Sequence, residues 1–168
     1  VFNVLQCDGI AERIPEAAST RPGFDSVAAA EAVATGMPLP PTVEHGFRQA
    51  CYLPPQDLVR MPQRESFAAP AGYYSTLFHE LVHSTGNTKR LARKGITEST
   101  QFGSEDYSQE ELVAEMGAAF LCGHVGIEPA TLDNSVAYVQ SWLAKLRGNN
   151  RLVVHAAAQA QSAADFIL

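Results

Sequence analysis

Cysteine is scarce in this chain, at three residues: Cys7, Cys51 and Cys122. An odd count in apolar surroundings argues against a disulfide framework and for reduced thiols in a cytoplasmic protein. No two of them have the spacing of a cysteine metal site, so a bound metal would need other ligands. No uninterrupted apolar stretch reaches the length of a membrane helix and no secretory signal is present, so no membrane partner is expected. Net positive charge is lacking too. The formal charge of −6 argues against these residues alone gripping a nucleic-acid backbone. The one basic cluster is Lys89-Arg90-Leu91-Ala92-Arg93-Lys94. It reads as charge at a helix C-terminus and in a solvated loop, with DNA or an acidic substrate as the alternative. Repeats and low-complexity tracts are absent. The 168 residues suit a single domain spanning 1–168. The chain opens on Val1 inside an apolar run, as a piece of a longer protein would.

What is present is concentrated in His79-Glu80-Leu81-Val82-His83. Two histidines four residues apart on a helix lie about 40° apart around its axis, so both can reach one metal ion. A glutamate between them can take a proton from water on that ion, which is the pattern of a zinc peptidase helix. The bland alternative is a helix carrying two surface histidines. Against it, Tyr74, Leu77, Phe78, Leu81 and Val82 form one apolar stripe at helical spacing. His79 and His83 fall on the other side, as on a cleft floor. Gly86-Asn87 is expected to end this helix, which spans about residues 72 to 86.

A catalytic zinc needs a third protein ligand and an open position. The longer HExxHxxGxxH pattern is excluded, because its third histidine would fall at Lys89. The better source is the segment beginning Ser108-Gln109-Glu110-Glu111, read as a second helix over about 109 to 123. Its core stripe is taken as Leu112, Val113, Met116, Ala119 and Phe120, flanked by Glu111 and Glu115. A half-buried carboxylate needs a partner, which a metal or a ligand histidine supplies. Glu111 is assigned as the third ligand, with Glu115 or Glu110 as fallback, and Glu115 as the acceptor that orients a ligand histidine. The competing reading makes Ser108-x-x-Glu111 a capping box. Manganese, cobalt or nickel would also suit such a ligand set.

The remaining chain reads as α+β, with a small N-terminal sheet and a helical C-terminal part. Val1 to Leu5 is a strand and Asp25 to Thr35 a helix. Phe47 to Met61 is a hairpin around Pro54-Pro55, with Leu58 to Met61 as the edge strand beside the cleft, where an extended peptide could add. A polar loop of some twenty residues after the first motif reads as a substrate-side flap. Asn134 to Arg147 and Asn149 to Phe166 are further helices. His45, His124 and His155 are not expected to bind anything. Tyr73, Tyr74 and Tyr107 are candidates for an oxyanion donor, although core packing and loop anchoring explain Tyr74 and Tyr107 better.

Several segments occur in a telling order: Pro-x-x-Glu-x-Phe (62 to 67), Tyr-Tyr-Ser-Thr-Leu-Phe-His-Glu-Leu-Val-His-Ser-Thr-Gly (73 to 86), Arg-Leu-x-Arg (90 to 93), Phe-Gly-Ser-Glu-x-Tyr (102 to 107) and Glu-Glu-Leu-Val-Ala-Glu-Met-Gly-Ala-Ala-Phe-Leu-Cys (110 to 122). Together they resemble the metallopeptidase domain of ArdC-like antirestriction proteins and phage polyvalent proteins. The resemblance implies a zincin-like fold, a metal on His79, His83 and Glu111, and Glu80 as catalytic base. Family members usually carry an N-terminal domain that binds single-stranded DNA, to which nothing here corresponds. The residue after the second histidine is often Trp in the family, and here it is Ser84. The expected activity is zinc-dependent hydrolysis of a peptide bond in a protein substrate the chain does not reveal. Two rivals stand beside it: a metal-stabilised antirestriction module that binds DNA or a restriction enzyme without cutting, and a regulator that cleaves one repressor-like partner.

Overall fold

The computed structural model describes residues 26–98, 105–127 and 150–168. The expected strand at Val1 to Leu5 and helix at Asn134 to Arg147 lie outside them. Helix α1 (Ser26–Gly36) leads through a proline-rich connector to strands β1 (Thr42–His45), β2 (Cys51–Leu53) and β3 (Leu58–Met61). A 3-10 turn at Arg64–Ser66 precedes helix α2 (Pro70–Thr85). Then come the short helix α3 (Lys94–Thr97), helix α4 (Glu105–Val125) and helix α5 (Asn150–Ile167). The architecture is α+β, as expected.

The hairpin forms around Pro54-Pro55, but its strands are short and their order corrects one expectation. β3 is the central strand, paired parallel to β1 and antiparallel to β2, so it is not the edge. β1 was not foreseen, and it places His45 in a strand rather than a loop. Asp57 closes the turn at φ 50°, a left-handed conformation that Asp tolerates better than most residues. Val59 and Met61 of β3 are fully buried, and they seat the sheet on the helices.

α2 begins at Pro70, where a missing N–H leaves nothing unsatisfied. Its apolar stripe is buried as the spacing requires, with Phe78 and Val82 fully enclosed. The opposite face is also covered: Glu80, His83, Ser84 and Thr85 are buried. Gly86 does end the helix, but in a right-handed conformation at φ −73°. What requires glycine there is space, since a Cβ would lie 2.6 Å from Ile96 Cγ1.

α4 starts at Glu105, before Ser108, so Ser108 is inside the helix and the capping-box reading of Glu111 is overturned. The stripe also needs correction. Ala119 is exposed, whereas Leu112, Val113, Ala114, Ala118, Leu121, Cys122 and Val125 form the buried face. Small residues let α4 approach α2 closely: a Cβ on Gly117 would lie 2.8 Å from Val82 Cγ2. Gly126, at φ 72°, closes α4 while Ile127 N–H returns to Cys122 O at 2.9 Å, a Schellman-type end. α5 packs on α4 through Ala156, Ala160, Ala163 and Ala164.

Candidate metal centre

The close contact of α2 with α4 brings the paired histidines against the acidic face of α4. His79, His83 and Glu111 each offer a ligand atom, all within 4.8 Å of one another. His79 Nε2 and His83 Nε2 are 3.1 Å apart. Glu111 Oε2 lies 3.7 Å from the first and Oε1 3.5 Å from the second.

Proton placement decides what this cluster is. His83 Nδ1 faces Glu110 Oε1 at 3.3 Å, and His79 Nδ1 lies 3.6 Å from Glu115 Oε1. A carboxylate accepts only, so Glu110 favours a proton on Nδ1 of His83, whereas the contact of His79 with Glu115 is ionic and too long for a hydrogen bond. The two Nε2 atoms then face each other and Glu111. Without a metal, a proton on His79 Nε2 can be shared with His83 and Glu111, so proton and metal would compete for the same place. Three converging lone-pair donors repel unless a proton or a metal ion lies among them. A tetrahedral zinc with ligands at about 2.0–2.1 Å sets neighbouring donors about 3.3 Å apart, so the donor set fits such an ion.

The local field agrees. Burial works against the His79 imidazolium, yet a hydrogen bond with Glu111 and the charges of Glu80, Glu115 and Glu111 raise its pKa above the ordinary histidine value. Positive charge is stabilised at this point. Glu111 is itself pushed up by burial but held lower overall by His79, His83 and the Tyr107 hydroxyl.

Glu80 is buried and lies in the same cleft, of about 580 Å³, whose walls include Cys51, Tyr52, Ile96 and Tyr107. Burial and the Glu111 charge push its pKa up, against the two histidines and the Tyr52 backbone N–H that donates to it. That N–H belongs to β2, so β2, not β3, is the strand whose edge meets the site.

The other expectations divide. Glu115 sits beside His79, as expected. Glu110 is 5% exposed and faces His83 Nδ1, on the far side from the converging donors, so the fallback of Glu110 as ligand is not supported. Tyr73 is hydrogen-bonded to His45 Nε2 at 2.9 Å, and the Tyr74 hydroxyl donates to Glu31 at 2.6 Å, so neither hydroxyl faces the cleft. Tyr107 does line it. Cys51 and Cys122 are free thiols, and burial pushes both up.

The basic cluster departs furthest from expectation. Arg90 is 1% exposed in its side chain and holds Asp57 through two hydrogen bonds of 2.9 and 3.1 Å. Arg93 is 6% exposed and holds Glu110. Both anchor the segment after α2 over residues 86–98, whose Gly95 and Ile96 line the cleft, on the substrate side as expected; residues 99–104 of the expected flap lie outside the described residues. Nothing in a run of alternating basic and apolar residues distinguishes solvated from buried arginines.

The fold and the paired-histidine helix define the class: the chain belongs to the zincin-like metallopeptidase family, whose profile matches residues 28–159. More particularly, it is similar to the antirestriction protein ArdC of plasmid R388. The Mn(II)-bound crystal structure of ArdC aligns with a TM-score of 0.65 at 39% identity, over 89% of this chain and 52% of that one. The metal-free ArdC structure gives 0.65 at 36% identity, over 99% and 57%. Uncharacterized protein y4eC of Sinorhizobium fredii is 32% identical over 167 residues, which is 99% of this chain and 52% of y4eC. DNA primase TraC of Escherichia coli is 35% identical over 173 residues, 100% of this chain and 15% of TraC. The chain thus spans about half of y4eC and a smaller part of TraC. Among the described residues, no helix is long and apolar enough to cross a membrane.

Proposed function

We propose that this chain is a metal-dependent peptide hydrolase acting in an antirestriction or mobile-element setting, with His79, His83 and Glu111 as ligands and Glu80 as general base. The observation that carries the reading is the convergence of three lone-pair donors beside a buried carboxylate in an open cleft. Zinc is the proposed ion, because imidazole and carboxylate donors favour it over manganese at equal availability. A bound divalent ion supplies Lewis acidity and lowers the pKa of a coordinated water. The residues do the rest. Glu80 takes the proton of the attacking water and returns it to the leaving amine. The upward pressure of burial on Glu80 brings it nearer the range where a base works at neutral pH. Tyr107 steadies Glu111, and the Tyr52 N–H steadies Glu80. β2, the edge strand that lines the cleft through Cys51 and Tyr52, is the strand along which an extended peptide would lie.

The test is Glu80→Gln. The expected result is a folded chain that keeps its metal and loses at least a hundredfold in cleavage of a proteome-derived peptide library, since general-base catalysis contributes about 10²–10⁴-fold. Undiminished cleavage in that variant refutes the mechanism.

A second reading has its own support. The solved relative is an antirestriction protein, and antirestriction could be achieved by binding alone. In that case the metal would be structural, a fourth protein ligand would close the site, and Glu80→Gln would leave antirestriction intact. Restriction of incoming DNA in cells carrying the variant separates the two.

A further inference from the structure

We infer that Arg93 is a positioning residue for the metal centre: through Glu110 it fixes the orientation and the tautomer of His83. This rests on the reading of His83 as a ligand. The arrangement is a continuous chain of charge-assisted hydrogen bonds. Arg93 Nε donates to Glu110 Oε2 at 2.9 Å and Nη2 to Oε1 at 2.6 Å, the bidentate fork that a guanidinium makes with a carboxylate. Glu110 Oε1 also faces His83 Nδ1 at 3.3 Å. The remaining donors grip α2 itself, with Nη2 on Val82 O at 2.7 Å and Nη1 on Thr85 Oγ1 at 2.5 Å. One buried side chain therefore ties the end of α2 to α4 at the point where the two helices present His83 and Glu111.

The surrounding sequence is shaped to admit it. A Cβ on Gly86 would lie 3.2 Å from Arg93 Nη2, and one on Gly95 would lie 2.7 Å from Glu110 Cβ. Two glycines thus clear the path by which residues 86–97 cross between the helices. A buried guanidinium with a buried carboxylate is weak grounds for stability as such, because desolvation consumes most of the attraction. Its directional consequence is firmer. Both oxygens of Glu110 are held by donors that cannot accept, so the carboxylate keeps its acceptor face towards His83. His83 must then donate from Nδ1 and keep the Nε2 lone pair free. Orienting partners of this kind typically change metal affinity by about 10–100-fold when removed.

The contrast with the second histidine sharpens the point. Glu115, beside His79, is 31% exposed in its side chain at 3.6 Å, whereas Glu110 is 6% exposed at 3.3 Å. The carboxylate beside His83 is thus the enclosed one, forked by Arg93, and the carboxylate beside His79 the more solvated.

The test uses the 168-residue chain with Zn(II) alone, in chelator competition, beside long-range proton–nitrogen correlation spectra of the metal-free protein. Wild type should show His83 protonated at Nδ1. Arg93→Lys cannot reproduce the fork and should weaken Zn(II) binding at least tenfold with the near-UV circular dichroism unchanged. Glu110→Gln places an amide donor near Arg93, breaking the fork, or near His83, shifting it towards the Nε2-protonated tautomer, and either way it should weaken binding. If Arg93→Lys does not fold, the wild-type tautomer and Glu110→Gln decide. A folded variant with unchanged affinity and unchanged tautomer overturns the inference while leaving the metal centre intact. A wild type that binds no Zn(II) or Mn(II) at all would instead overturn the proposed function.

Discussion

The two ends of α2 both carry clusters of charged and aromatic side chains, and they are built differently. At the N-terminal end, Glu31 meets Arg64 at 3.2 Å with side chains 42% and 49% exposed, and takes the Tyr74 hydroxyl at 2.6 Å. Every acceptor named there has a donor. At the C-terminal end, Arg93 and Glu110 are almost fully enclosed, and His79, His83 and Glu111 bring three ligand atoms within 4.8 Å of one another. The first cluster is finished by its own side chains. The second is the one that a metal ion would complete under the proposed function. Charge density alone marks no site; a converging set of ligand atoms in a buried setting does.

The comparison can be broken by mutation, and the largest effect is expected near the C-terminal end. Asp57→Asn leaves Arg90 buried with half its partner and should cost about 3 kcal/mol in urea unfolding at pH 7. Burial pushes Asp57 up, but Arg90, Tyr52 and Lys89 together hold it below the ordinary aspartate value. A depressed pKa contributes stability above the unfolded value and loses it as pH falls through the folded one. The difference between wild type and variant should therefore shrink below about pH 4.

Metal linkage comes next. The raised pKa of His79 stabilises the metal-free fold below the unfolded histidine value, near pH 6.5, and that contribution is lost as pH rises through the folded value. The proton and the metal compete for the same place. Zinc at a hundredfold excess over its Kd should add about 2.7 kcal/mol at pH 8 and much less at pH 5, read from Tm. An increment independent of pH would remove His79 from the ligand set. The smallest effect belongs to the N-terminal end. Glu31→Gln should change stability by less than about 1 kcal/mol, because that ion pair is solvated. A loss as large as that of Asp57→Asn would erase the distinction between the two ends.

The motif helix and the acidic helix were legible because their signals are local. Spacing fixes which side chains of one helix share a face, and that pairs His79 with His83; the choice of Glu111 among Glu110, Glu111 and Glu115 rests also on the family resemblance. What was hidden is set by approach between elements. The order of the strands depends on β1, whose Thr42-Val43-Glu44-His45 is exposed throughout and shows no apolar alternation. The burial of Arg90 and Arg93 depends on carboxylates 33 and 17 residues away. Glu110 looked like a spare acid beside Glu111, because adjacent helix positions diverge by about 100° and only the packed structure shows that both directions are occupied. The start of α4 was misplaced because Ser108 has the chemistry of a cap while sitting inside the helix.

Metal content settles the centre itself. Purified from zinc-supplemented medium, the chain should carry one divalent ion per molecule, and Glu111→Ala should lose it while keeping native circular dichroism. Equal metal in both proteins, or none in the wild type after reconstitution, would contradict the account.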